Sequence, residues 1–202
     1  MNKHLKIAAA LLVALPTLTF AQVRTEQTFE KGWKFTREDS KDFSQQTYDD
    51  TKWQSVTVPH DWAIYGPFSI ENDKQKVAIT QDGQKEALEH AGRTGGLPFV
   101  GVGWYRLNFE APAFSSGKKA TLIFDGAMSH ARVYINGQEA GFWPYGYNSF
   151  HIDATPYLKA GEQNTLAVRL ENETESSRWY PGAGLYLSLI HISEPTRRSY
   201  IS

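Results

Sequence analysis

From residue 100 onward the chain is cut into short runs that alternate apolar and polar residues, each closed by turn residues. That period of two puts one set of side chains on each face of an extended strand, and it constrains the fold more than any other feature. Trp104-Tyr105-Arg106-Leu107-Asn108-Phe109 alternates cleanly, and Ala120-Thr121-Leu122-Ile123-Phe124 is a second run. Ala131-Arg132-Val133-Tyr134-Ile135 leads into Asn136-Gly137, and Gln138-Glu139-Ala140-Gly141-Phe142 returns. Asn-Gly between two such runs marks a hairpin, because a type I′ turn needs positive φ at both central positions. Asn164 to Leu170 alternates again, with Leu166, Val168 and Leu170 on one face. No long helical periodicity occurs after residue 21. The expected class is all-β, a sandwich of short antiparallel strands.

The first 21 residues read differently. Lys3, His4 and Lys6 form a basic start, Ile7 to Leu18 is apolar, and Thr19-Phe20-Ala21 suits a cleavage site. This is the pattern of a secretory signal, expected over residues 1–21 with Gln22 as the first mature residue. The apolar run is shorter than the roughly 20 residues that span a bilayer. An exported product, periplasmic or extracellular, is expected, with no membrane span after cleavage. There is no cysteine, so neither a disulfide framework nor thiolate chemistry is available. The formal net charge is -1 with both signs interspersed, which provides no nucleic-acid footprint and no polybasic membrane patch. No cluster has metal-ligand spacing, and no cofactor is implied.

Several motifs occur in a fixed order. Gly32-Trp33-Lys34-Phe35 is followed by Trp53 and by Val56-Thr57-Val58-Pro59-His60-Asp61-Trp62; then come Gly101-Val102-Gly103-Trp104-Tyr105-Arg106, the hairpin Phe124 to Gly137, and Arg178-Trp179-Tyr180-Pro181-Gly182-Ala183-Gly184-Leu185-Tyr186. This order resembles the opening domain of family 2 glycoside hydrolases, which include β-galactosidases, β-glucuronidases and β-mannosidases. The polar Tyr65–Pro98 segment is similar to β-galactosidase-type members of Bacteroides-like bacteria. The resemblance covers residues 22–186. It implies a jelly-roll β-sandwich, galactose-binding-domain-like, that serves as a sugar-binding domain. It also implies that the catalytic glutamates sit on a downstream (β/α)8 barrel, beyond an immunoglobulin-like domain. A retaining glycosidase needs two carboxyl groups about 5 Å apart, and a barrel takes about 250 residues. This chain has no such region, so no catalytic residue is expected in it.

By the same resemblance, Arg93-Thr94 and Ser177-Arg178-Trp179 are the expected substrate contacts for a β-linked oligosaccharide. In some β-galactosidases an acidic residue two positions before the tryptophan matching Trp179 touches galactose; here that position is Ser177. Trp143, in a Gly/Pro-rich loop, is the expected aromatic platform. Trp33, Trp53, Trp62 and Trp104 are expected in the core. Asp61 is expected to accept turn amides, with His60 packed beside Trp62, and Asp125-Gly126 is expected to turn. Leu187 to Arg197 resembles the translation of a transposase-type sequencing adapter, so residues 187–202 are expected to be a non-native tail with enough β propensity to pair as a strand. Two other readings remain: a stand-alone secreted carbohydrate-binding protein, and a purely structural adhesin-like module.

Overall fold

The computed structural model describes residues 24–69, 71–72, 74–90, 100–173 and 182–193. Two sheets face each other. The first has strand order β1 (Thr25–Thr28), β13 (Gly184–Ser193), β8 (Lys119–Met128), β11 (Phe150–Asp153), and the two-residue β4 (His60–Asp61) also pairs with β13. The second has order β10 (Gln138–Trp143), β9 (Ala131–Ile135), β12 (Gln163–Asn172), β7 (Gly101–Glu110), β2 (Trp33–Thr36), β3 (Gln54–Val56). A separate ribbon pairs β5 (Gln75–Val77) with β6 (Leu88–His90). Every pairing is antiparallel. The all-β sandwich expected from the alternation is therefore present.

Alternation decides which side chains meet between the sheets. In β12, Leu166, Val168 and Leu170 are fully buried, and opposite them Leu107 and Tyr105 of β7 point the same way. Leu122, Phe124, Leu185 and Ile190 close the core from the other sheet. At about 25 cal/mol per Å² of apolar area removed from water, this cluster is the main cohesive term in a chain without disulfides. The hairpin turns at Asn136 (φ 52°) and Gly137 (φ 85°), both in the left-handed region that Asn-Gly tolerates.

The outer face of the six-stranded sheet is half roofed. Residues 37–53, including the short 3-10 turn Lys41–Ser44, cross it over β7 and β12. Arg106 explains why this crossing is fixed. Its guanidinium is 1% exposed, pairs with Asp50 at 2.8 Å, and donates to the carbonyls of Phe43, Gln45 and Tyr48. One buried cation thus satisfies three backbone carbonyls of the crossing. Phe43, Tyr48, Trp53 and Trp104 pack around it as a second small core.

Two expectations are corrected. Asp125-Gly126 does not turn. It continues β8, because Gly126 pairs with Tyr186, whose side chain would lie 3.6 Å from any Cβ at that glycine. Within the polar Tyr65–Pro98 segment, β5 ends at Val77 and a 3-10 turn, Thr80–Asp82, follows, capped by Gly83 at φ 76°. His60 takes its ring neighbours from Phe35, Tyr65 and Tyr105, while Trp62 stacks on Phe35. Trp33, Trp62 and Trp104 are buried as expected, and Trp53 is half-buried. The segment expected as a tail supplies the second half of β13, between β8 and β1, with Ile190 and Ile192 in the core. Residues 1–21 lie outside the described residues, and no helix among those described is long and apolar enough to cross a membrane.

Candidate functional site

Strand register gathers one set of segments at a single end of the sandwich. β7 begins at Gly101 and β12 ends at Asn172, and these two residues are paired. Met128, the last residue of β8, pairs with Gly184, the first of β13, and Gly184 pairs also with Asp61. Trp143, the last residue of β10, pairs with Ala131, the first of β9. Gly101 and Asn172 thus lie side by side at this end. Arg93, Thr94, Ser177, Arg178 and Trp179 lie outside the described residues.

Asp61 ties this end together. Its Oδ1 accepts the backbone N–H of Ala63 at 2.9 Å and that of Ala183 at 3.0 Å. The first contact is the turn bond expected from the sequence. The second fixes the strand that follows residues 174–181. Tyr186 also hydrogen-bonds Asp61, and burial, then this carboxylate, push its phenol up to about 12. Gly184 is required by close approach, since a Cβ there would strike the His60 carbonyl.

His60 lies beside this hub. Its Nδ1 is 2.7 Å from the Tyr105 hydroxyl, and the exposed Tyr65 ring lies nearly parallel to it at 6.1 Å and 23°. Burial, only partly opposed by Asp61, lowers the imidazole pKa. Burial holds the Tyr105 phenol well above its usual value, with Asp61 adding to the effect. At neutral pH both groups are therefore neutral, able to donate and accept but not to serve as a charged acid–base pair. Around them opens a cleft of about 800 Å³ whose lining includes Lys34, Ser55, His60, Asp61, Tyr65 and Tyr186. Its walls provide hydroxyls, one carboxylate, two lysines and an exposed aromatic ring. That set suits a polyhydroxylated ligand, with ring faces for C–H surface and polar atoms for hydroxyls.

Tyr186 carries this surface round to the 143–149 loop. Tyr147 adds to the raised pKa of Tyr186, and Gly126 lies between Tyr186 and the Gly146 carbonyl. The loop is pinned in two ways. His130 N–H donates to the Pro144 carbonyl, and Gly146 is packed so closely on Met128 that no Cβ fits. Trp143, the expected platform, stands half-buried with its ring stacked on Phe150 at 5.7 Å and 11°, and its indole N–H donates to Asn148. One of its faces therefore serves the core. The rings that the loop shows to solvent are Tyr145 and Tyr147, 56% and 46% exposed. Gly/Pro richness pointed to this loop and to Trp143 in it; only packing separates the tryptophan from the tyrosines. Tyr65 and Tyr186 carried no sequence signal as site residues. Among the described residues no group of His, Asp or Glu is placed to hold a metal ion.

With this geometry, the chain can be set beside known proteins. The family described as glycosyl hydrolases family 2, sugar binding domain, matches residues 27–188. The chain belongs to that family and carries its sugar-binding domain. It is 39% identical over 176 residues to a β-galactosidase of Bacteroides ovatus, covering 87% of this chain and 19% of that protein. It is 37% identical over 182 residues to a putative β-glucuronidase of Formosa agariphila, covering 88% of this chain and 16% of that one. Among solved structures, a family 2 glycosyl hydrolase from Bacteroides cellulosilyticus superposes with a TM-score of 0.69 at 32% identity, over 84% of this chain and 21% of that one. A β-glycosidase from Bacteroides vulgatus gives a TM-score of 0.68 at 32% identity, over 85% and 20%. The chain thus spans about one fifth of the length of these relatives, and their larger remainder has no counterpart in it.

Proposed function

We propose that this domain forms one wall of the substrate cleft in an exported, β-galactosidase-like glycoside hydrolase acting on β-linked oligosaccharides. The carboxyl pair that breaks the glycosidic bond stands on a separate (β/α)8 barrel. Arg93, Thr94, Ser177, Arg178 and Trp179 are the proposed substrate contacts, and Asp61, His60 and Tyr186 position the strand from which the second group approaches. The observation that supports this reading is the register: the Gly101–Asn172 pair and the Met128–Gly184–Asp61 row lie at one end of the sandwich, in a chain of this family, and the proposed contacts fall close to Gly101, Asn172 and Gly184 in sequence. Paired carboxylates about 5 Å apart are what retaining hydrolysis needs. Here Asp61, the carboxylate at the centre of this end, is engaged by backbone amides and Tyr186.

The test is a chimera in which residues 22–186 replace the matching segment of the Bacteroides ovatus β-galactosidase. It should fold and hydrolyse a β-galactoside, and Arg93→Ala or Trp179→Ala in it should raise KM at least several-fold. A folded chimera whose KM is unmoved by either substitution would refute the assignment of these contacts. A folded but inactive chimera would refute the wall itself.

A further inference from the structure

The outer face of the six-stranded sheet carries a second site, whose cleft shares no lining residue with the one above. Outward-facing residues fall into two cross-strand rows. Phe142, Arg132, Arg169 and Trp104 are successive partners across β10, β9, β12 and β7, and Glu139 and Tyr134 pair in the next row. Residues 37–53 cover β7 and β12 and reach only Tyr134 and the β9–β10 turn at Gly137, so Arg132, Glu139 and Phe142 stay exposed, and a cleft of about 610 Å³ lies where the roof stops. Its lining includes Asp39, Trp104, Arg132, Tyr134, Glu139 and Arg169.

Two cations, Arg132 and Arg169, stand directly opposite one another, an arrangement that by itself destabilises a sheet. Each is neutralised locally. Arg169 grips Asp39 through Nε at 3.0 Å and Nη2 at 2.8 Å, and reaches Glu171 at 2.8 Å. Arg132 reaches Glu139 at 3.0 Å. Asp39 also accepts the Trp104 indole N–H at 2.7 Å, and Tyr134 hydrogen-bonds Glu139 while its ring stacks on Trp104 at 5.6 Å and 23°. The half-buried Tyr134 ring is thus held at both ends. Each carboxylate has room for further donors, since two oxygens offer about four acceptor positions.

We infer that this cleft is a secondary binding site for a neutral pyranose unit of an oligosaccharide. Tyr134 would meet the sugar's C–H face, the carboxylates of Asp39 and Glu139 would accept its hydroxyl protons, and the guanidinium groups of Arg132 and Arg169 would donate to its oxygens. Both arginines of the lining are already held by carboxylates, which favours a neutral ligand: an acidic sugar would have to compete with Asp39 and Glu139 for them, with only Lys41 besides. The site stands apart from the proposed active-site wall and does not depend on it.

The experiment is a titration of the full chain with lactose, cellotetraose and glucuronic acid, followed by backbone amide NMR shifts. The expected result is saturable shifts for a neutral sugar, at millimolar dissociation constants, centred on Arg132, Tyr134, Glu139 and Arg169. Tyr134→Ala should weaken binding roughly tenfold. Glu139→Gln, an exposed change that leaves the core untouched, should weaken it about threefold and serves if Tyr134→Ala fails to fold. Shifts confined to Tyr65, Tyr186 and the 143–149 loop would overturn this proposal while supporting the active-site wall. No saturable shift with any sugar, or glucuronic acid binding more tightly than lactose, would also overturn it.

Discussion

Asp61→Ala is the perturbation that most directly loads the site geometry. The substitution removes the acceptor for two backbone donors, Ala63 N–H and Ala183 N–H, on residues that are fully buried. A buried donor left without a partner costs about 1–3 kcal/mol. Two would give about 2–6 kcal/mol; since the carboxylate borders the cleft, water can replace part of the loss, and about 2–4 kcal/mol is expected. For a domain of this size each kcal/mol moves Tm by about 2–4 °C, so a fall of roughly 5–15 °C should follow. Asp61→Asn keeps an amide oxygen where Oδ1 stands and should lose less than half as much. Urea unfolding followed by tryptophan fluorescence measures both, and an unchanged slope against urea shows that the comparison is one of stability alone. In the Ala variant the Tyr186 phenol, now about 12, should also titrate at lower pH. A midpoint for Asp61→Ala within 0.5 kcal/mol of wild type would refute the hub.

Asp50→Ala strands a buried guanidinium and should cost about 3–5 kcal/mol, read by thermal melting. Arg106→Met with Asp50→Ala should not restore stability, because the Phe43, Gln45 and Tyr48 carbonyls also lose their donor; recovery to wild type would contradict that reading. Ile190→Ala empties a fully buried position in β13 and should cost about 2–5 kcal/mol; a neutral result in urea unfolding would mean that the second half of β13 is not packed. For His60, burial lowers the folded pKa. The unfolded chain therefore takes up the proton first as pH falls, so this contribution is complete above about 6.5 and declines from there to the folded value. Urea midpoints at pH 7.5 and 5.5 should differ more in wild type than in His60→Asn; equal differences would refute it.

The long strands were legible because period-two alternation is written where one face is buried, as in Leu166, Val168 and Leu170. Short strands were not. β2, β3, β4 and β11 span two to four residues, too few to show a period, and they are strands because long partners hold them. Asp125-Gly126 misled for a related reason. Local turn chemistry favours a bend, but nine paired positions between β8 and β13 outweigh it. Asp61 was legible as a local acceptor of the Ala63 amide two residues on. Its bond to Ala183, 122 positions away, has no sequence signature. The same holds for Arg106, whose alternation marks it as outward-facing and solvated, although residues 37–53 fold over it. The aromatic surface was partly legible: composition located the 143–149 loop, and packing against Phe150 decided which rings face solvent.

The most direct test of the account is purified protein of this sequence incubated with a chromogenic β-galactoside. The account assigns bond cleavage to another domain, so chromophore should appear no faster than in buffer alone. Saturable release that copurifies with the folded chain and disappears on unfolding would contradict it.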